Sequence, residues 1–123
     1  MSQVHQGRQK MLLCIDDSPA ILEYEKRIFE QSGYIVVTAN SARRGLRLAT
    51  LFSFDAVLID YQMPEMNGHE LASEIRRLRP ETPVIMFSGG DVPNETRQLV
   101  DAVVPKSGGH RDLLPTVTRF FAG

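Results

Sequence analysis

The sequence is short of several things, and each shortage removes a class of protein. It has one cysteine, Cys14, so no internal disulfide can form. A lone thiol suits a reducing compartment rather than a disulfide-stapled secreted domain. It has no surplus of either charge: 14 Lys and Arg against 15 Asp and Glu leave −1. That balance gives no support to a DNA-coating or polybasic membrane role. It has no long apolar run. The polar start MSQVHQGRQK gives way only to Met11–Ile15, too short for a signal-peptide core and far from the roughly 20 residues of a membrane span. Its three histidines, His5, His69 and His110, are scattered without metal-ligand spacing. There is no internal repeat and no low-complexity tract. The expectation is a cytoplasmic protein with neither nucleic acid nor membrane as partner.

What is present is an alternation. The length, 123 residues, fits one domain that can bury roughly two-thirds of its unfolded surface. Residues 1–9 carry no periodic pattern and read as a loose tail, with the domain over 10–123. Short apolar runs at 11–15, 34–38, 56–59, 84–87 and 102–104 lack a polar face, which predicts strands buried on both sides. Amphipathic stretches separate them. Ser18 and Pro19 look like an N-cap and first helical position, Gly33 closes that helix, and Ile21, Leu22, Ile28 and Phe29 mark its buried stripe. Ser41 caps a second helix with Leu46, Leu48 and Leu51 inward. Asn67 caps a third, with Leu71, Ile75 and Leu78 on one face and Pro80 beyond its end. Gly89, Gly90 and Pro93 leave room for only about two turns in the fourth, near 94–100. The last runs near 111–121, with Leu114, Val117 and Phe121 inward and Pro115 near its start. Five strand–helix units predict a parallel sheet with helices on both faces, an α/β three-layer sandwich. Its ligand site belongs at the carboxyl ends of the strands.

Those ends carry the chemistry. The first strand runs into Asp16-Asp17, the third into Asp60, the fourth into Ser88-Gly89-Gly90 and the fifth into Lys106. Three carboxylates at one edge repel one another, and a hard divalent cation relieves that. Magnesium suits such a site, because it keeps positions open for water and phosphate oxygens. A carboxylate can also act as a nucleophile toward phosphorus, with metal, lysine and hydroxyl stabilising the phosphoryl charge. Singly, each feature has a plainer reading. Acids favour a helix start, Ser-Gly-Gly is a turn, and a lone lysine is a solvated charge. An acid ending an apolar strand must find a partner, and four coincidences at one edge outweigh the plain readings together.

The set Asp16-Asp17-Ser18, the run Asp60-Tyr61-Gln62-Met63-Pro64-Glu65-Met66-Asn67-Gly68, Ser88 and Lys106 resembles a response-regulator receiver domain of two-component signalling. The resemblance spans about residues 10–122, leaving no room for an output domain, so a stand-alone receiver is expected. It implies a flavodoxin-like, chemotaxis-regulator-like sheet of order 2-1-3-4-5, here with a shortened fourth helix. It implies Asp60 as phosphoacceptor, and Asp17, Asp60 and the Gln62 backbone carbonyl as magnesium ligands. Asp16 would hold a metal-bound water, Ser88 would be the switch hydroxyl, and Lys106 the phosphate-oxygen donor. Met63, Pro64 and Gly68 would shape the pocket. It also implies a histidine kinase or phosphotransfer protein as phosphoryl source, a downstream protein partner, and a possible homodimer. The chain would be a phosphoacceptor rather than an enzyme, with intrinsic autophosphatase activity tuned by Gln62.

Three positions depart from the family. Ser107 follows Lys106 where the family has proline and a cis peptide. Val103 stands where it has a large aromatic that moves with the switch. Gly89 follows Ser88, beside the short fourth helix. The acid pocket reads as intact and the readout as altered. The alternative is a phosphorylation-independent interaction module with an atypical switch face. An aspartate-nucleophile phosphatase is disfavoured because Gln62 stands where its general acid would be. A flavodoxin-type cofactor binder is disfavoured because the first loop is acidic. Cys14 reads as a buried small hydrophobe. The clusters Arg43, Arg44, Arg47 and Arg76, Arg77, Arg79 read as solvated faces. Phe120 and Phe121 read as packing for the last helix.

Overall fold

The computed structural model describes residues 8–108 and 111–121. Most of the expected N-terminal tail and Gly109-His110 lie outside the described residues. Arg8 and Gln9 are described and tied down. The Arg8 guanidinium donates to both Asp55 carboxylate oxygens, and the Gln9 amide to the Gly33 carbonyl.

Five strands and five helices alternate: β1 (Met11–Ile15), α1 (Pro19–Gln31), β2 (Ile35–Ala39), α2 (Ala42–Leu51), β3 (Ala56–Asp60), α3 (Gly68–Leu78), β4 (Val84–Ser88), α4 (Asn94–Leu99), β5 (Ala102–Pro105) and α5 (Leu113–Arg119). All pairings are parallel, in the order β2-β1-β3-β4-β5. This is the expected α/β sandwich, and α4 is as short as the Gly-Gly-Pro spacing required.

Strand alternation sorts the core into two layers. Leu13, Ile15, Val57, Ile59, Val84 and Met86 face α2 and α3 on one side. Leu12, Cys14, Leu58, Ile85 and Phe87 face α1 and α5 on the other. The inner strands β3 and β4 are buried at every residue. The edge strands β2 and β5 are not, since each has a neighbour on one side only.

Caps fall where the sequence placed them. The Ser18, Ser41 and Asn67 side chains accept from the amides of Ile21, Arg44 and Glu70. Gly33 takes φ 94°, a left-handed turn natural to glycine.

Helix faces are where expectation and structure part. On α2 the buried residues are Ala42, Gly45 and Ala49; Leu46 and Leu48 are only half-buried and Leu51 points outward. The cause is close approach to β1, since a Cβ on Gly45 would lie 2.4 Å from Ile15 Cδ1. Small residues therefore take the inner stripe and the leucines rotate out. On α5 the inner positions are Leu113, Thr116 and Val117, with Leu114 and Phe121 at the margin and Phe120 exposed. On α1 the stripe is Leu22, Glu25 and Phe29, so an acid occupies a core position.

The second arginine cluster is partly structural. Arg76 donates to the carbonyls of Pro80, Thr82 and Leu99 and to Asp101. Arg79 donates to the carbonyls of Ala49, Thr50 and Phe52 at the end of α2.

Candidate functional site

The strand order reverses between β1 and β3. A crevice opens at the carboxyl end of the sheet at such a point, because the flanking connections leave to opposite faces. Asp16 and Asp17 leave β1 there, and Asp60 ends β3 beside them. The Asp16 amide still bonds Ala39 O, so the residue is fixed by the sheet. Its Oδ1 accepts from Ser18 N at 2.9 Å, and Ser18 in turn caps α1. Asp16 is 1% and Asp60 4% exposed, while Asp17 faces solvent.

Lys106 opens a short 3-10 turn, Lys106–Gly108, directly after β5. Its Nζ donates to Asp60 Oδ1 at 2.9 Å and lies 3.8 Å from Asp16 Oδ2, an ion-pair contact too long for a hydrogen bond. The ammonium also sits 5.3 Å from the Phe87 ring centroid. No cis peptide occurs among the described residues, so the 3-10 turn aims Lys106 with an ordinary trans bond before Ser107.

Ser88, fully buried at the end of β4, donates from Oγ to Gly90 O at 2.9 Å and accepts from Gly90 N at 3.2 Å. Gln62 N reaches Asp60 Oδ1 at 3.4 Å, and its side-chain Nε2 lies 3.9 Å from where a Gly90 Cβ would stand. The β3–α3 loop is held close at Gly68, whose N–H bonds Tyr61 O at 2.7 Å. Met63 is buried beneath that loop. Val103 packs half-buried against the α2–α3 side of the core. The six-residue α4 is tied to α3 by a hydrogen bond between His69 Nδ1 and Thr96 Oγ1 at 2.8 Å.

One carboxylate oxygen from each of Asp16, Asp17 and Asp60 lies within 4.8 Å of the others, and one ammonium, that of Lys106, contacts Asp60 and Asp16. The imbalance shifts the pKa values of the site. Burial first, with the fields of Asp60 and Asp17 adding, pushes the Asp16 carboxyl up to about 6 despite its Ser18 hydrogen bond and Lys106. For Lys106, burial works against the charge, but the Asp60 hydrogen bond and the fields of Asp60, Asp16 and Glu25 win, and its pKa is raised. Among the described residues, Asp16 Oδ2 is the one buried side-chain polar atom without a hydrogen-bond partner. A buried carboxylate oxygen without a hydrogen bond, among other carboxylates, is what a hard divalent cation would satisfy. The donor set is all oxygen, so magnesium fits it.

A model of the response regulator receiver domain matches residues 12–110. The chain belongs to the response regulator receiver family. Among curated relatives, this receiver is 38% identical over 84 residues to the transcriptional regulatory protein GlrR of Escherichia coli, covering 68% of this chain and 19% of that one. It is 28% identical to the cell cycle response regulator CtrA of Brucella abortus, over 63% of this chain and 34% of that one. The receiver thus spans about a fifth to a third of the length of the curated relatives it matches. Solved structures agree over nearly the whole domain. A CheY-like receiver domain protein of Methanospirillum hungatei superposes with TM-score 0.84 at 33% identity, covering 91% of this chain and 93% of that one. The Thermotoga maritima response regulator TrrA, solved in complex with Mg2+ and BeF, superposes at 0.85 and 27% identity, covering 91% and 99%. Receivers of this family act as signalling phosphoacceptors and interact with kinases or phosphotransfer proteins and downstream targets. No described helix is long and apolar enough to cross a membrane.

One residue of the neighbourhood escaped sequence reasoning. Glu25 on α1 is 2% exposed, beside Cys14 and under the acid pocket. Its place three residues after Leu22 and four before Phe29 was the available signal, since that spacing puts it in the buried stripe. Burial, then the field of Asp16, lifts its carboxyl to about 8. The buried Cys14 thiol is raised well above its ordinary value, chiefly by desolvation, and is inert packing.

Proposed function

We propose that this receiver accepts a phosphoryl group on Asp60 from a histidine kinase or a phosphotransfer protein and signals by binding a downstream protein. The observation that carries the reading is the 2.9 Å contact from Lys106 Nζ to Asp60 Oδ1, beside the buried Asp16 oxygen that has no hydrogen bond. An Asp60 oxygen attacks the phosphorus of a phosphohistidine, the P–N bond breaks, and the imidazole nitrogen keeps the electron pair and takes a proton. The product is an acyl phosphate on Asp60.

Lys106 moves from the carboxylate to a phosphoryl oxygen without leaving the pocket. The Ser88 hydroxyl exchanges its bond to the Gly90 carbonyl for one to the phosphoryl group. Asp17, Asp60 and the Gln62 carbonyl would hold magnesium directly, and Asp16 through a water. When bound, the cation neutralises the crowded acids and draws charge from the transferring group. Gln62 lies on the open side, where water reaches the acyl phosphate, and tunes its autohydrolysis.

Val103 and the six-residue α4 support an altered readout, because a valine cannot make a large aromatic swing. They also favour the second reading, a module that binds its partner irrespective of phosphorylation. The location assigned with this reading is the cytoplasm, where its phosphoryl donors act. The proposal concerns these 123 residues, alone or within a longer chain.

The test is intact mass after incubation with acetyl phosphate, with and without magnesium, for wild type and Asp60→Asn. One phosphoryl adduct that needs both magnesium and Asp60 supports the reading. No adduct, together with no beryllofluoride binding, moves the chain to the phosphorylation-independent class.

A further inference from the structure

The charge of the chain is balanced overall but not in space. Residues 31–54 contain three arginines and no acid. Arg43, Arg44 and Arg47 are all exposed on α2. At 100° per residue they share about 100° of helix arc with Leu51. Leu51 and its neighbour Phe52 are 63% and 54% exposed, the most exposed large apolar side chains among the described residues. The outer face of α2 therefore runs from guanidinium groups to bare hydrocarbon over roughly 10 Å of helix.

One anion of the chain itself already lies against this face. The Glu65 carboxylate, from the β3–α3 loop, accepts from Arg43 N at 3.3 Å and lies 3.9 Å from Arg43 Nε. Arg44 and Arg47 have no acidic partner among the described residues. The three arginines and Glu65 line a concavity of about 320 Å3 with Asn40 and Ser41. One carboxylate is in place, and two guanidinium groups beside it are unmatched.

We propose that the outer face of α2 docks an acidic segment of a partner protein, with its carboxylates on Arg44 and Arg47 and a following apolar side chain on Leu51 and Phe52. Charge complementarity sets the orientation, and the apolar end supplies burial that exposed ion pairs alone do not. A net charge of −1 disfavours long-range attraction to a nucleic-acid or anionic lipid surface, whereas a short acidic segment needs only the local patch. Glu65 lies five residues after Asp60, so a partner carboxylate that displaces it also touches the loop beside the pocket.

The experiment measures fluorescence anisotropy of a labelled peptide carrying a run of glutamates followed by Leu-Phe, titrated with the full chain. Saturable binding is expected, weakened about tenfold or more by Arg44→Glu with Arg47→Glu, and weakened also by Leu51→Ser with Phe52→Ser. Glu65→Gln removes the internal competitor and should tighten it. Arg44→Glu puts an acid in the first turn of α2, where it is favourable, and glutamate is a good helix former at the exposed mid-helix position of Arg47; circular dichroism melts check that the fold is kept. Asp60→Asn should bind like wild type, so failure of phosphorylation and failure of docking read separately. Absence of binding, or binding indifferent to the arginine pair, overturns the proposal. So does binding of phosphatidylserine vesicles or a single-stranded oligonucleotide without binding of the peptide.

Discussion

Glu25 is the place where the structure makes its most quantitative claim. The side chain is in the core of α1, and its carboxyl is raised from 4.5 to about 8 by burial first and by Asp16 second. The unfolded chain gives that carboxyl up to water, where it ionises near its ordinary value. The folded state therefore binds the proton more tightly, and stability must fall as pH rises from about 4.5 to about 8. Each unit of difference is worth about 1.4 kcal/mol. At pH 7 the burden on folding is about 3 kcal/mol, and at pH 5 it is under about 1 kcal/mol. Glu25→Gln keeps the size and the hydrogen-bonding capacity and removes the titration. In urea melts with EDTA present, the advantage of the variant over wild type should grow by about 2 kcal/mol between pH 5 and pH 7. Subtracting the two profiles removes the titration Asp16 shows in both proteins and leaves that of Glu25 together with its coupling to Asp16. Parallel profiles would refute the reasoning, because they would mean that Glu25 ionises in the fold as it does in water.

Two further outcomes follow from the site and its frame. Asp16→Asn relieves a buried acid raised to about 6; at pH 7 without metal it should stabilise by about 1–2 kcal/mol. The same change should abolish the rise in melting temperature that magnesium gives wild type, read by thermal melts with and without the ion. Gly68→Ala places a Cβ 2.7 Å from the Tyr61 Cα, a backbone atom that cannot step aside. It should cost about 1–3 kcal/mol in a denaturant melt and loosen the loop beside Asp60.

The sheet and the pocket were legible because both follow from short-range rules. Apolar runs such as Val84–Phe87 are buried on both faces and carry no polar residue, so they stand out. The acids and Lys106 end such runs, and parallel topology brings all the ends to one edge. Helix faces were less legible. Large apolar residues usually mark the inner stripe, and on α2 that rule put Leu51 inside. Gly45 and the alanines on either side won the inner positions, because the distance between α2 and β1 leaves no room for a larger residue. That spacing is a property of the packed pair and is not written in either segment. The roles of Arg76 and Arg79 were hidden for the same reason. Their acceptors are carbonyls of α2, α4 and the loop after α3, which sequence distance does not bring to mind.

Glu25 and the three site acids bear on one another. A core helix position filled by leucine would contribute roughly 1.5–3 kcal/mol by burial; filled by Glu25 it costs stability at neutral pH. The pocket above it sets three carboxylates against one ammonium. Electrostatically, the metal-free fold is held together against its own charges by Lys106 and by a proton on Glu25. A divalent cation changes that balance, because it offsets the field of Asp16 that helps hold the proton on Glu25. Cation binding should therefore lower the proton affinity of Glu25, and protonation of Glu25 and Asp16 should weaken cation binding in return, since linkage is reciprocal. The acid in the core and the acids at the sheet edge thus form one electrostatic unit, and its state is set jointly by pH and by metal.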